Sequence, residues 1–270
     1  MMRSSSLIRE FTVEEQTENI INWIKDWYKD KSGYAIVCIS GGKDSTIAAA
    51  LCAKALGADR VIGVLMPNGE QKDIEDSKKV VDFLKIPHMT VNIGEAYDAL
   101  TKSIDEAMFH NFDNVSSKSH DVYKTNTPAR IRMVAAFGIA ALYGGYVVNT
   151  CNLSESVVGW ETFGGDGFGC FSPLGKLTVQ EVVAIGDYLN LPKELVHKVP
   201  SDGMCGSTDE EKLGFTYECL DNYIRTGVRP KSIEIFQRIM DLNKSSHFKH
   251  EIIHLPTYDP GLYICEDFNW

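Results

Sequence analysis

The chain has 270 residues, enough for one α/β domain or for one domain with a sizeable appendage, and its 44% hydrophobic and 24% charged residues are ordinary for a packed soluble protein. Its 37 acidic and 27 basic residues give a formal net charge of −10, which disfavours binding to a nucleic-acid backbone. No apolar run approaches the ~20 residues that span a bilayer, and Met1–Glu10 lacks a signal-peptide core, so we expect a cytoplasmic protein without membrane contact.

Strand and helix patterns alternate along the first half of the chain. Short apolar, β-branched runs predict strands at Tyr34–Ile39, Arg60–Met66, His88–Ile93 and Tyr146–Thr150. The segments between them predict helices at Ser45–Leu56, Asp73–Leu84, Glu95–Phe109 and Ala129–Tyr143. Strands separated by helices of this length form parallel βαβ units, so we predict the α/β class with a doubly wound, Rossmann-like parallel sheet.

The pattern changes after Asn152. Trp160–Gly175 is rich in glycine and predicts a long loop of the kind that often carries function. Further helices are predicted near Val179–Leu189, Asp209–Tyr223 and Lys231–Leu242. The seven cysteines are scattered without a CxxC pair, and their odd number argues against a disulfide framework or a zinc site.

The turn from Ser40 to Ser45 (SGGKDS) follows the first predicted strand and opens a helix. At this position, backbone N–H groups and the helix dipole favour an anion. Gly41 and Gly42 let the backbone approach a phosphate closely, and Asp44 stands where it can hold a Mg²⁺ ion that bridges phosphates. The alternative is an ordinary strand–helix turn capped by a polar side chain.

The same turn resembles the SGGxDS loop of the ATP pyrophosphatase superfamily, and it lacks the GxxxxGK[ST] and GxGxxG patterns. Members of that superfamily cleave ATP between the α and β phosphates and adenylate a substrate oxygen. The resemblance implies that Asp44 and Ser45 are catalytic. It also implies an ATP-binding set made of Ser40, Gly41, Gly42, Lys43, Asp44 and Ser45.

Further segments, in the same order along the chain, resemble NAD synthetases. Met66–Asp73 (MPNGEQKD) is similar to a segment in which Gln71 would lie close to ATP, the alternative being a polar strand–helix loop. Asn126–Met133 (NTPARIRM) resembles the family's N-x-x-A-R-x-R-M motif, which implies that Arg130 faces deamido-NAD and Arg132 the nucleotide. Two structural ion pairs are the alternative for these arginines.

Asn149–Glu155 (NTCNLSE) resembles the segment in which a threonine contacts ATP and a glutamate binds Mg²⁺. The resemblance assigns these roles to Thr150 and Glu155, and Glu155 would then meet Asp44 across one metal ion. The alternative for Glu155 is a carboxylate at the start of a helix.

Val199–Gly203 (VPSDG) and Thr208–Tyr217 (TDEEKLGFTY) resemble the family's Pro-Ser/Thr segment and its D-E-x-x-L-G-x-x-Y motif. Ser201 matches a position that touches ATP, whereas the Asp-Glu pair also suits simple helix capping.

The glycine-rich Thr162–Cys170 resembles T-K-Y-G-D-G-x-x-D, with Asp166 in a substrate-binding position. Ser246–His250 loosely resembles S-x-H-K-R, so that His247 and Lys249 are candidates for substrate binding, with an exposed polar tail as the alternative.

Polar residues of the family pattern are missing at three positions. Phe163 replaces a substrate-binding lysine, Cys170 replaces a substrate-binding aspartate, and Val179 replaces a lysine near ATP. Lys176 or Lys43 is a candidate to supply the lost charge. These changes favour a rebuilt substrate pocket or a different substrate.

The resemblances span about residues 15–250 and imply an ammonia-dependent NAD synthetase of the adenine nucleotide alpha hydrolase-like fold. ATP would adenylate the nicotinate carboxylate of deamido-NAD with the help of Mg²⁺, and ammonia would displace AMP. We expect residues 1–270 to form a single synthetase domain with C-terminal helices and no glutaminase domain, acting as a homodimer. The alternatives are another ATP pyrophosphatase, such as a tRNA-modifying adenylating enzyme, or a catalytically impaired nucleotide sensor.

Overall fold

The computed structural model describes residues 10–70, 74–108, 116–198, 208–251 and 257–268. Within these ranges one parallel sheet is present, with strands in the order β3-β2-β1-β4. The strands are β1 (Ala35–Cys38), β2 (Val61–Leu65), β3 (His88–Thr90) and β4 (Tyr146–Val147). Ile36 of β1 pairs with Ile62 on one side and Val147 on the other, so β1 occupies the interior of the sheet. The predicted doubly wound α/β fold is confirmed.

Helices cover both faces of the sheet. They are α1 (Val13–Tyr28), α2 (Lys43–Leu56), α3 (Ile74–Leu84), α4 (Gly94–Met108), α5 (Ser117–Tyr143), α6 (Leu153–Val157), α7 (Val179–Tyr188), α8 (Lys193–Val196), α9 (Asp209–Leu213), α10 (Tyr217–Thr226), α11 (Ile233–Ser246) and α12 (Phe248–Glu251). None of those in the described ranges has the length and apolar character that a bilayer span requires.

Alternating side chains of β1 divide the core into two layers. Ala35 and Val37 pack with α1, α2 and α7, whereas Ile36 packs with Met133 and Ala136 of α5 on the other face. This alternation follows from the two-residue period of a strand, and it buries an uncharged strand on both sides. The first turn after β1 therefore leaves the sheet at its carboxyl edge, between the two layers of helices.

Helix α1 was not predicted from the sequence. It buries Ile20, Ile24 and Tyr28 against the sheet layer, and Trp27 stacks on Phe171 with ring centroids 4.4 Å apart. The spacing of these apolar residues is helical, so the signal was present in the sequence.

The prediction of a single helix over Asp209–Tyr223 was wrong. Gly214 adopts a left-handed conformation with φ of +85° and ends α9. Thr216 then begins α10, because its hydroxyl accepts a hydrogen bond from the Cys219 N–H. An end signal followed directly by a start signal thus breaks the helix.

The predicted start of a helix at Ala129 was also wrong. Helix α5 begins at Ser117 and continues through Pro128, and Ser116 caps it by accepting a hydrogen bond from the Ser119 N–H. The prediction followed the mostly apolar run Ala129–Tyr143, whereas the first part of α5, before Pro128, is mostly polar.

The C-terminal helices form a second apolar cluster beside the sheet. Leu153 and Val157 of α6 pack there with Leu220 and Tyr223 of α10 and with Ile239 of α11. Helix α6 follows β4 directly, so this cluster fixes it at the carboxyl edge of the sheet.

Candidate active site

The turn from Ser40 to Ser45 lies between β1 and the N-terminus of α2. Gly41 has φ of +77°, and a Cβ atom there would lie 2.8 Å from the backbone nitrogen of Ser77, so the position requires glycine. Ser40 Oγ lies 3.1 Å from Ser45 Oγ and accepts a hydrogen bond from the Gly42 N–H. The two serines brace the turn, and their contact with ATP stays a prediction.

Lys43 places a buried ammonium group at the base of this turn. Its side chain is 6% exposed, and its Nζ lies 2.8 Å from Asp44 Oδ2. Burial opposes the charge, but the carboxylates of Asp44 and Glu155 outweigh it and raise the pKa of Lys43. The site thus contains a permanent positive charge next to the amides that open α2.

Asp44 and Glu155 meet through Asn152. The Asn152 side chain donates to Asp44 Oδ1 at 3.0 Å, and its backbone N–H donates to Glu155 Oε2 at 3.1 Å. The Glu155 N–H donates back to Asn152 Oδ1 at 3.0 Å, which completes a capping box at the start of α6. Two residues far apart in sequence are thereby brought to one edge of the sheet.

This pair of carboxylates fits a hard divalent cation. Burial, followed by the charge of Asp44, raises the pKa of Glu155 well above its ordinary value, which is the sign of two anions sharing a desolvated site. No third metal-binding side chain joins them among the residues that the structure describes. Mg²⁺ ordinarily uses one or two carboxylates and completes its shell with phosphate oxygens and waters.

Arg130 and Arg132 of α5, for which ligand contacts were predicted, hydrogen-bond to different parts of the site. Arg132 Nε donates to the carbonyl of Met66, the residue after β2, at 2.9 Å. Arg130 is exposed, and its Nε donates to the carbonyl of Phe163 at 3.0 Å. Arg132 therefore lies near the carboxyl edge of the sheet, whereas Arg130 lies next to the glycine-rich loop. Thr150 lies between β4 and Asn152, at the same edge.

The glycine-rich loop is held by Asp166. Its Oδ1 accepts a hydrogen bond from the Thr162 N–H at 2.8 Å, while the residue remains exposed. Asn149 Nδ2 donates to the Asp166 carbonyl at 3.0 Å, which fixes the loop to the end of β4. Asp166 thus shapes the loop and is accessible to a ligand, and its role in substrate binding stays a prediction.

At the three positions where polar residues of the family pattern are missing, the side chains of this protein are at least partly packed against other residues. The ring of Phe163 lies 5.7 Å from that of Phe168 and 5.8 Å from that of Phe248. Val179 is 8% exposed within the C-terminal cluster, and Cys170 is half-buried. The charge of Lys176, which was a candidate substitute, is paired with Asp259 at 2.9 Å.

Lys249 binds backbone close to the glycine-rich loop. Its Nζ donates to the carbonyl of Gly159 at 2.7 Å and also to that of Glu161. Burial lowers the pKa of Lys249. His247 lies at the end of α11, one residue before α12. The substrate roles of Lys249 and His247 stay predictions, and Gln71 and Ser201 lie outside the described residues.

Sequence reasoning assigned no role to Asn152 or Tyr217. The spacing Asn-x-x-Glu at 152–155 is a capping-box signal that was available. Tyr217 begins α10, and its ring centroid lies 5.9 Å from Lys43 Nζ, a proximity that depends on tertiary packing alone.

Comparisons with known proteins identify the family to which this chain is similar. A sequence model of the family described as NAD synthase matches residues 16–253. The NH(3)-dependent NAD(+) synthetase of Carboxydothermus hydrogenoformans is 32% identical, covering 90% of this chain and 97% of the relative. The NH(3)-dependent NAD(+) synthetase of Pyrococcus furiosus is 34% identical, covering 93% and 98%.

Among solved structures, an NMN synthetase from Francisella tularensis superposes with a TM-score of 0.79 at 30% identity, covering 92% of this chain and 100% of that chain. The family match extends over residues 16–253, a range that contains the turn from Ser40 to Ser45 and also Glu155. The chain therefore belongs to the NAD synthase family.

Proposed function

We propose that the chain is an ammonia-dependent NAD synthetase, which uses ATP to convert the nicotinate carboxylate of deamido-NAD into the amide of NAD. The observation that carries this proposal is the meeting of Asp44 and Glu155 through Asn152, beside the turn from Ser40 to Ser45. Relatives at 32% and 34% identity that are named NH(3)-dependent NAD(+) synthetases support the choice of reaction.

ATP is the nucleotide that members of this family consume, and its terminal phosphates suit the turn between β1 and α2. The N-terminus of α2 and the Lys43 ammonium group supply positive charge where pyrophosphate would leave. Asp44 and Glu155 would hold Mg²⁺, which would neutralise phosphate charge. Thr150 and Arg132 are the candidates for the remaining contacts to ATP, because both lie at the carboxyl edge of the sheet.

The chemistry requires two displacements. The nicotinate carboxylate attacks the α-phosphorus and expels pyrophosphate, which leaves an acyl adenylate. Ammonia then attacks the acyl carbon, AMP departs with one carboxylate oxygen, and a proton is lost to solvent. The protein contributes position and preorganised charge: Lys43 offsets the negative charge of the departing pyrophosphate, and Arg130 and Asp166 orient the substrate.

The glycine-rich loop would shield the acyl adenylate from water. Asp166 and Lys249 hold the N-terminal end of this loop through backbone contacts, so the shape of that end is set before the substrate binds. Preorganisation of this kind limits hydrolysis of a reactive intermediate.

A homodimer is the proposed assembly. Helix α5 exposes Val134 (75%), Phe137 (38%) and Leu142 (83%), which form an apolar surface that a second copy would cover. The reaction is placed in the cytoplasm, where ATP is available and where the free thiols of the described cysteines remain reduced. Ammonia would come from solution, with the whole chain acting as one synthetase domain.

A second candidate is the amidation of nicotinate mononucleotide to NMN. The solved structure named an NMN synthetase is 30% identical and has a TM-score of 0.79. The aromatic contacts of Phe163, at a position where the resemblance implies a substrate-binding lysine, also favour a substrate pocket with fewer polar contacts.

One experiment separates the candidates. The protein is incubated with ATP, Mg²⁺ and ammonium, together with either deamido-NAD or nicotinate mononucleotide, and the products are quantified by chromatography. We expect NAD, AMP and pyrophosphate in equal amounts from deamido-NAD. Turnover of the mononucleotide alone would favour the second candidate, and ADP with inorganic phosphate would contradict both.

A further inference from the structure

Tyr217 carries a buried hydroxyl group that the reaction described above does not use. The residue is 3% exposed, and its hydroxyl oxygen has no hydrogen-bond partner among the residues that the structure describes. A buried donor without a partner is unfavourable, so such a group in a native protein requires an explanation. A ligand that arrives with acceptor oxygens would provide one.

The position of the Tyr217 ring is fixed by the surrounding helices. Its backbone N–H donates to Glu210 Oε1 at 2.8 Å, which locks the start of α10 against α9. The ring packs in the C-terminal cluster with Leu213 and Phe215. Within the described part of the chain, no group hydrogen-bonds to the hydroxyl, so packing of the ring holds it in place.

The ring also borders the phosphate turn. Lys43 Nζ lies 5.9 Å from the ring centroid, and the same Nζ lies 2.8 Å from Asp44 Oδ2. Burial first, and then the charges of Glu155, Asp209 and Asp44, raise the pKa of Tyr217. The hydroxyl therefore keeps its proton as a hydrogen-bond donor, and the ring that carries it lies beside Lys43 of the candidate site.

Two of the neighbouring carboxylates, those of Asp44 and Glu155, already accept hydrogen bonds from other groups. Asp44 accepts from Lys43 and from Asn152, and Glu155 accepts from the Asn152 N–H. A phosphate group between Lys43 and the start of α2 would bring new acceptor oxygens into the same space.

We infer that Tyr217 is a direct contact of the nucleotide, in which its hydroxyl donates a hydrogen bond to an oxygen of the terminal phosphates of ATP. This inference rests on the proposed function, because it requires those phosphates to occupy the turn from Ser40 to Ser45. The contact adds a neutral hydrogen-bond donor to the pyrophosphate portion of ATP and involves no atom of the adenosine.

The test is the variant Tyr217→Phe, which keeps the ring and removes only the oxygen atom. Binding of α,β-methylene-ATP with Mg²⁺ and binding of AMP are measured by calorimetry on the full chain. We expect the affinity for α,β-methylene-ATP to fall by ~10- to 100-fold, as for a lost hydrogen bond to a charged group, and the affinity for AMP to stay unchanged.

Tyr223→Phe is the matched control. Tyr223 lies on the same helix and is fully buried, but its hydroxyl donates to Asp267 at 2.7 Å. This variant should lower the melting temperature and leave the affinities for both nucleotides as in the wild type.

Equal affinity of wild type and Tyr217→Phe for α,β-methylene-ATP would overturn the inference, and would mean that the hydroxyl binds only water. An equal loss for AMP and for the triphosphate analogue would also overturn it, since the effect would then be structural. If the wild type itself did not bind α,β-methylene-ATP, the proposed function would fail instead.

Discussion

Replacing Glu155 by glutamine should have opposite effects on the stability of the fold and on NAD synthesis. The pKa of Glu155 is raised by burial and by the charge of Asp44, so the folded chain binds this proton more tightly than the unfolded chain. The charged carboxylate therefore costs stability above its ordinary pKa, and the cost grows until the pH exceeds the raised value. Glu155→Gln removes the charge, while its amide oxygen can still accept the hydrogen bond from Asn152.

Because the folded chain binds the Glu155 proton more tightly than the unfolded chain, we expect Glu155→Gln to raise the free energy of unfolding at pH 8 without metal. The gain should shrink as the pH falls towards 5. Urea denaturation followed by tryptophan fluorescence, in EDTA at both pH values, measures this difference. The same variant should lose NAD synthesis by at least ~100-fold.

The matched control for this prediction is Glu181→Gln. Glu181 is also a buried carboxylate in a capping box, but it is paired with Arg225 at 2.7 Å. Its neutralisation should destabilise the fold by about 3 kcal/mol, because it leaves a guanidinium without its partner. If Glu155→Gln were as destabilising as Glu181→Gln, or if its effect did not vary with pH, the account of two anions sharing one site would be refuted.

Three further predictions concern the turn and the glycine-rich loop. Asp44→Asn should lower kcat by at least ~100-fold in a steady-state assay, with the circular dichroism spectrum unchanged, because the proposed Mg²⁺ ion would lose a charged ligand; turnover within threefold of wild type would contradict the assignment. Gly41→Ala should lower the free energy of unfolding by about 2 kcal/mol or more, because its Cβ would lie 2.8 Å from the Ser77 nitrogen. Gly69→Ala should lower it by only about 1 kcal/mol, because Gly69 also has a positive φ, +70°, but no atom of the described residues lies within 4 Å of the added Cβ. Equal losses of unfolding free energy in the two variants would show that the close approach of Gly41 to Ser77 does not affect stability. Lys249→Met should raise the KM of the nicotinate nucleotide about tenfold and leave the KM of ATP unchanged, because it frees the loop from its two carbonyl contacts; equal changes in both constants would exclude this loop-specific role.

The fold was largely predictable because local patterns carry it. The uncharged run at Tyr34–Ile39 and the glycine turn after it predicted β1 and α2 almost to the residue. The errors arose at helix ends: the polar residues before Pro128 were left out of a helix that α5 includes, and Gly214 was read as part of a helix, whereas it ends α9. Whether a helix continues or ends at such positions depends on packing partners that lie far away in sequence.

The site was predictable only in part. The sequence places Asp44 and Glu155 in separate segments, and parallel-sheet topology alone suggests that both reach the carboxyl edge. The Asn152 side chain that joins them, and the Lys249 ammonium group that reaches Gly159, are products of tertiary packing. The same holds for Tyr217, whose nearness to Lys43 no local pattern encodes.

The central claim is that the nicotinate carboxylate is adenylated before ammonia attacks it. The most direct test supplies deamido-NAD labelled with ¹⁸O in that carboxylate, together with ATP, Mg²⁺ and ammonium, and analyses the products by mass spectrometry. The account predicts that each turnover transfers one labelled oxygen to the phosphate of AMP and leaves the other in the amide of NAD. Label in pyrophosphate or inorganic phosphate, with unlabelled AMP, would contradict it.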